Sequence, residues 1–341
     1  MTQVLQIIPD DGYGGAELAA RAAVERQGGR VRLFVLDGLP TDAMPVLEHI
    51  TYGHARPGGL TSAWRALKAA RAQKPDVIVF SLWKTWAAFL LITLFGPRAK
   101  RVTFLHSDRS FHAVDHLATA MMMRLSDEVW ADSERTLHLR APIRGGVATR
   151  AVTFLLHRPP GAPREDPKPH FAFWGRIKRG KGVDAAVRMI ARIPGARFVV
   201  IGPDGGEEAR VRQIAEELGL GDRVTLAGAH AFADIPGLIA DCSFFLQLSL
   251  QEGMSMSTVE AMQMGLVPVV TPVGEIPNYC AHMANAVLVE SEDQAVADVA
   301  LILDDPALFA RLSKAAVDQW AASPLYDEDF MAAASALAAK G

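Results

Sequence analysis

The chain has 341 residues, half of them hydrophobic and about a fifth charged, with a net charge of −3 and two cysteines. That composition excludes a low-complexity or disulfide-stapled protein, and the length allows two domains, each with a sizeable core. The charge is uneven: residues 1–163 carry +6 and residues 164–341 carry −9, so an anionic partner is expected at the front half.

The N-terminus, MTQVLQIIP, has no basic leader and passes straight into a strand, so a secretory signal is not expected. Apolar β-like runs follow at Val4–Ile8, Val31–Leu36, Val77–Ser81, Val102–His106, Glu128–Ala131 and Ala151–Leu156. Helical patterns lie between them, among them Ala16–Gln27, closed by Gly28 and Gly29, and Thr61–Gln73, stopped before Pro75. Near-continuous hydrophobic strands separated by helices indicate a parallel sheet covered on both faces. The longest apolar stretch, Trp86–Gly96, falls short of the ~20 residues that a bilayer span needs.

His157–His170, HRPPGAPREDPKPH, breaks the pattern with five prolines and little that suits a core. The expected division is a first domain at 1–160, a linker at 161–170, a second domain at 171–323 and a C-terminal helix within 324–341. The alternation restarts at Phe171–Trp174 and continues through helix Val183–Arg192, strand Phe198–Ile201, helix Glu207–Leu218, strand Val224–Leu226, helix Ala233–Ala240 and strand Ser243–Leu248. A last buried strand is expected at Val267–Thr271. The fold class is therefore α/β, with two doubly wound Rossmann-like domains facing a central cleft and the C-terminal helix packing back on the first. Ligands bind outside the carboxyl ends of such strands and in interdomain clefts. Asp327, Glu328 and Asp329 suit the N-terminus of the final helix, Tyr326–Lys340, better than a metal site.

Three stretches carry candidate chemistry. Gly12-Tyr13-Gly14-Gly15-Ala16-Glu17 follows the first strand, yet Glu17 occupies the third glycine position of a dinucleotide fingerprint and would repel a pyrophosphate. Gly175–Gly182, GRIKRGKG, follows the first strand of the second domain, where Arg176 presents a planar fork and Lys181 a mobile point charge to phosphate oxygens. The third stretch is Gln247–Pro277, in which Glu252 and Glu260 bracket seven residues. Eight helical residues separate two side chains by ~12 Å, well beyond the ~5 Å of a double-displacement carboxylate pair. The glutamates thus look placed to hold opposite ends of an elongated ligand over the backbone of Met254–Ser257, with a diphosphate between them. Ser257-x-x-Glu260 also has the form of a capping box.

GGAE at 14–17, His106 at a strand end, ADSE at 131–134, GRIKRGKG at 175–182, VIG at 200–202, DRVTLAG at 222–228 and EGMSMSTVEAMQMGLVPVV at 252–270 occur in that order. This series resembles the retaining GT-B glycosyltransferases of glycosyltransferase family 4, marked by the E-x7-E motif, and covers nearly the whole chain. The resemblance implies a nucleotide-sugar donor held mainly by the second domain. Arg176 and Lys181 would neutralise the diphosphate and Glu252 would hold the donor sugar. The amides of Gly253, Met254, Ser255, Met256 and Ser257 would assist. Glu260 would bind ribose, and Gly202, Ala229 and His230 would lie on the nucleotide side. Gly14 and Gly15 would approach the diphosphate or acceptor, and His106 the donor sugar; a core or capping histidine is the alternative. Family enzymes need no metal or other cofactor, and front-face attack needs no side-chain nucleophile. Met254-Ser255 departs from the aromatic-glycine pair usual there, which leaves the sugar contacts open.

Trp83 and Trp86 precede the apolar run, and Arg98, Lys100 and Arg101 follow it. With the adaptable Met121–Met123 nearby, this suits either a core helix or an interfacial membrane contact. A lipid-linked sugar, glycolipid or envelope polysaccharide precursor is the expected acceptor, and a cytoplasmic protein is expected, free or at the inner face of the cytoplasmic membrane. Donors with uridine, guanosine or adenosine remain open, a UDP-sugar heading the series; no nucleic acid partner is expected. A sugar-nucleotide 2-epimerase and a non-catalytic nucleotide-sugar-binding protein are the rival readings.

Overall fold

The computed structural model describes residues 1–12, 14–38, 47–53, 59–107, 110, 112–144 and 146–340. It divides into two compact units: Met1–Leu156 together with the chain from Pro324, and His157–Ser323.

The first unit contains strands β1 (Val4–Ile8), β2 (Val31–Val35), β3 (Ile50–Tyr52), β4 (Val77–Ser81), β5 (Lys100–Leu105), β6 (Glu128–Ala131) and β7 (Thr149–Ala151). They form one parallel sheet in the order β3-β2-β1-β4-β5-β6-β7. Strands β1 and β4 are buried throughout, which explains their unbroken hydrophobic runs. The order reverses at β1, so right-handed crossovers place helices on both faces. Helices Leu60–Gln73, Trp86–Phe95 and Ala113–Leu125 share one face, and Gly15–Gln27 packs with Tyr326–Ala338 on the other.

Helix Trp86–Phe95 is a core helix along one side only. Ala88, Phe89 and Ile92 enter the core, while Trp86, Leu94 and Phe95 are exposed. No helix among the described residues is long and apolar enough to cross a membrane.

The expected strand at Ala151–Leu156 needs correction. The ladder ends at Ala151, the Val152 amide still donates to the Ala131 carbonyl at 2.8 Å, and the chain from Thr153 takes its hydrogen bonds elsewhere. Thr153 donates its amide to Asp329 at 2.7 Å, and the Leu155 carbonyl accepts from the Tyr326 amide at 2.8 Å. Burial alone does not distinguish such a run from a strand. The same contacts fasten helix Tyr326–Ala338, aided by Arg26–Asp327 at 3.1 Å and Lys340–Glu128 at 2.7 Å. Asp327–Asp329 thus serve as N-terminal acids and side-chain acceptors.

The second unit contains β8 (His170–Trp174), β9 (Arg197–Ile201), β10 (Val224–Gly228), β11 (Phe244–Gln247), β12 (Val267–Val270) and β13 (Val287–Leu288), in the parallel order β10-β9-β8-β11-β12-β13. The two-residue β13 escapes periodicity altogether. Ala233–Ala240 is a 3₁₀ turn at Phe232–Asp234 followed by a short helix, Ile235–Leu238.

The proline-rich segment is more than a tether. Arg164 donates to the carbonyls of Ala240, Cys242 and Met264, and the Lys168 amide reaches Ser243 Oγ at 2.8 Å. Proline has no backbone N–H to donate, so the arginine side chain does much of the fastening.

Candidate functional site

In the second unit the site is built where two loops meet at the carboxyl ends of β8 and β11. Gly182 makes the meeting possible. Its φ is +69°, and a Cβ there would lie 1.9 Å from the Leu248 carbonyl oxygen, so only glycine fits. That close approach brings Lys181 beside the loop after β11. Lys181 Nζ lies 2.7 and 3.0 Å from the Glu252 carboxylate oxygens. Gln247 Nε2 and Ser249 Oγ donate to Glu252 Oε1 at 2.5 and 2.6 Å. Glu252 is thereby a fixed, oriented acceptor rather than a loose loop acid.

Sequence reasoning gave Lys181 to the diphosphate and Glu252 to one end of the ligand; the fold makes them an ion pair. Gln247 is the residue that sequence reasoning missed. It is buried at the end of β11, where its Nε2 also reaches Ser249 Oγ at 2.9 Å and its Oε1 accepts from Ser255 and Ser257 at 3.2 and 3.0 Å. The available signal was a polar residue closing the apolar strand Phe244–Gln247. A buried amide needs such partners. From behind, Tyr279 donates to the Met254 carbonyl at 2.7 Å and the Glu275 amide to the Gly253 carbonyl at 2.9 Å, fixing the loop further.

Helix Met256–Gln263 begins at this loop, with Ser255 as its N-cap in the left-handed region at φ +54°. A β-carbon is costly there. The Ser255 hydroxyl offsets that cost through Gln247 and a 2.9 Å contact with Thr258 Oγ1. The residue standing where the family pattern has glycine therefore keeps the glycine-like backbone. Thr258 and Val259 donate to the Ser255 carbonyl, and the amides of Met256 and Ser257 precede those bonds at the positive end of the helix.

The Ser257-x-x-Glu260 capping box is not formed. Ser257 lies inside the helix, and Glu260 Oε2 instead accepts from the Trp174 indole N–H at 2.7 Å. Trp174 ends β8, where its buried ring needs a partner for its single donor, and helix Met256–Gln263 supplies one. Burial pushes the Glu260 carboxyl up to about 7, the indole bond opposing only part of that shift. Glu252 and Glu260 are thus held by different partners in different surroundings.

Arg176 is exposed, and its guanidinium forms no hydrogen bond or ion pair with the described residues. Its backbone is nevertheless held: Ile177 donates to the Pro203 carbonyl at 3.0 Å and Gly205 to the Ile177 carbonyl at 2.8 Å. Gly202 belongs to the same junction. At φ +147°, with the Gly175 carbonyl oxygen 2.0 Å from a Cβ built there, it is required by backbone approach. Ala229 and His230 follow β10 and are both exposed, His230 Nε2 lying 3.1 Å from the Ala227 carbonyl. The arrangement offers a free guanidinium, a lysine already paired with a fixed carboxylate, and a helix N-terminus, all suited to anionic oxygen atoms.

In the first unit, Gly14 caps helix Gly15–Gln27, with the Glu17 carboxylate folded against it. Burial raises the Glu17 carboxyl, and Asp10 and Asp11 nearby raise it further. Asp11 is held by Arg21 and Tyr52, each at 2.6 Å. This acidic setting is a poor one for a diphosphate at Gly14 and Gly15. Tyr13 lies outside the described residues.

His106 follows β5 and lines a cavity of about 40 Å³ with Trp83, Asp115 and Thr119. Its ring packs against Phe104 and Phe154, and neither ring nitrogen has a partner among the described residues. Burial lowers its pKa to about 3, so it is a neutral imidazole. Asp132 Oδ2 approaches Nδ1 at 4.0 Å. The ring is buried like the core histidine of the alternative reading, yet it lacks the partners that such a histidine usually has.

Residues 159–319 match the family model of glycosyl transferases group 1. Among curated relatives, the phosphatidylinositol N-acetylglucosaminyltransferase gpi3 subunit of Schizosaccharomyces pombe is 31% identical over 125 residues, covering 35% of this chain and 27% of the relative. GDP-mannose:cellobiosyl-diphosphopolyprenol alpha-mannosyltransferase of Xanthomonas campestris is 26% identical over 212 residues, covering 60% and 53%. The chain thus spans about a quarter to a half of the length of these curated relatives. In fold, the chain is similar to Anabaena HepE, solved in complex with UDP, with a TM-score of 0.80 at 18% identity, covering 99% of this chain and 100% of that one. The architecture is therefore GT-B, two parallel-sheet Rossmann-like domains.

Proposed function

We propose that this protein is a retaining glycosyltransferase that moves a sugar from a nucleoside-diphosphate sugar to a hydroxyl of a lipid-linked acceptor. The carrying observation is the Lys181–Glu252 pair in the loop that opens helix Met256–Gln263, with exposed Arg176 in the same loop after β8 as Lys181. Arg176 and Lys181 bind the diphosphate and stabilise the charge that develops as it leaves. Glu252, fixed by Gln247 and Ser249, accepts from hydroxyls of the donor sugar, and Glu260 meets the ribose. Gly253, Met254, Ser255, Met256 and Ser257 supply backbone contacts, with Gly202, Ala229 and His230 toward the nucleotide. His106 is assigned to the donor sugar by the resemblance alone, and its buried ring must become accessible for that role.

In the front-face reaction the anomeric C–O bond to the diphosphate breaks as the acceptor oxygen bonds to the same face of that carbon. The acceptor proton passes to a donor phosphate oxygen, leaving a nucleoside diphosphate. No metal or cofactor enters this scheme. The relatives support the substrate classes: a GDP-mannose donor and diphosphopolyprenol acceptor in one, phosphatidylinositol in the other, and UDP bound in the structural neighbour.

Thermal shift across UDP-, GDP- and ADP-sugars, followed by turnover with lipid-linked acceptors, tests the reading. Donor-dependent release of nucleoside diphosphate with a new glycoside of retained configuration is expected. An altered nucleotide sugar formed without acceptor would indicate epimerisation, and binding without turnover would indicate a non-catalytic protein. The group 1 match favours neither alternative.

A further inference from the structure

Exposed apolar side chains are concentrated on one side of the first unit. Of the fifteen large hydrophobic residues exposed among the described residues, nine lie on the helices Leu60–Gln73, Trp86–Phe95, Ala113–Leu125 and Glu134–Arg144, or at their ends. The opposite layer, Gly15–Gln27 with Tyr326–Ala338, contributes only Leu18. Trp64, Trp86, Leu94, Phe95, Leu117 and Leu125 are the principal members, Leu94 and Leu117 being 70% and 69% exposed. Isolated exposed leucines are ordinary, but a clustered apolar layer calls for an occupant.

Charge identifies that occupant. Residues 60–144, which span the four helices, contain thirteen lysines and arginines against seven acids, and three of those acids, Asp115, Glu128 and Asp132, are buried, as is Arg140. Arg71, Lys74 and Arg98, three cations against the single acid Asp76, line a concavity of about 440 Å³ with Gly96 and Pro97, directly after the exposed Leu94 and Phe95. Arg71 Nε donates to the Phe95 carbonyl at 2.9 Å, tying the cationic cluster to the apolar helix end. Exposed tryptophan and leucine flanked by cations suit the headgroup boundary of an anionic bilayer.

We infer that this helical layer of the first unit is the face that docks on an anionic phospholipid surface, Leu94 and Phe95 entering the headgroup region while Arg71, Lys74 and Arg98 meet the phosphates. The inference deepens the lipid-linked acceptor reading by naming the surface that would bring the protein to such an acceptor.

Co-sedimentation of the full chain with phosphatidylglycerol-containing vesicles and with pure phosphatidylcholine vesicles, at low and high salt, tests it. The wild type is expected to prefer the anionic vesicles and to lose that preference as salt rises. Leu94→Ser with Phe95→Ser should weaken binding about 10-fold or more, and Lys74→Glu with Arg98→Glu about 10-fold or more at low salt. Leu218→Ser with Leu301→Ser, exposed positions in the second unit, should leave binding unchanged. Circular dichroism melting verifies that each variant is folded. Equal binding by all variants, or no preference of the wild type for anionic vesicles, overturns the inference. Self-association abolished by the Leu94/Phe95 change also overturns it, marking a second copy as the occupant. Nucleoside diphosphate binding, followed by thermal shift on the same samples, reports separately on the donor reading.

Discussion

Replacing Glu260 with glutamine tests the electrostatics of the donor side. Buried against Trp174, this carboxyl titrates at about 7 in the folded protein instead of the ordinary 4.5. The folded state therefore binds its proton more tightly than the unfolded chain does. The stabilising contribution is complete below the unfolded value and is lost as pH rises through the folded one. Between pH 5 and pH 8 this group alone should lower the wild-type stability by about 2.5 kcal/mol. Glutamine has no such titration, and its carbonyl can still accept from the indole. Urea unfolding of both proteins at the two pH values isolates the effect from every other titrating group. The Glu260→Gln variant should gain about 2.5 kcal/mol relative to wild type on moving from pH 5 to pH 8. A stability difference that does not change with pH would refute the burial argument, and one that changes in the opposite direction would show the ionised form to be favoured by the fold.

Arg176→Ala and Lys181→Ala should separate binding from stability. Arg176 is exposed and unpaired with the described residues, so its loss should weaken donor binding by ~10-fold or more at unchanged melting temperature. Lys181→Ala should weaken donor binding similarly and also destabilise the fold by roughly 2 kcal/mol, because Glu252, only 8% exposed, loses its cation. Calorimetric titration with nucleoside diphosphate and thermal melts check both. Gly182→Ala should be the most damaging substitution at the loop junction, costing about 2 kcal/mol or more as the chain around Leu248 is forced away. Wild-type stability in that variant would dismiss close approach as the reason for glycine.

Local patterns carried most of the strand and helix assignments because fully buried parallel strands and amphipathic helices leave strong periodic signals. They failed where structure comes from neighbours. Thr153–Leu156 has a strand's composition but spends its hydrogen bonds on Asp329 and Tyr326, more than 150 residues away. Conversely, Ile50–Tyr52 becomes a strand only by pairing with Leu33–Val35.

The site divides in the same way. Sequence by itself determined which groups are available: a basic glycine-rich loop after one strand, glutamates on either side of a helix start, and an apolar segment followed by cations. Residue chemistry and loop-to-helix transitions are local, so the chain order displays them. Only the tertiary structure decided how those groups are paired. It set Lys181 on Glu252 through the space left by Gly182, put Gln247 at the centre of the acceptor network, and gave Glu260 to Trp174 rather than to its own helix N-terminus. These partners are brought together by the parallel sheet across 71 and 86 residues of chain. Their hydrogen bonds and burial, which set orientation and proton affinity, exist only after those strands have packed.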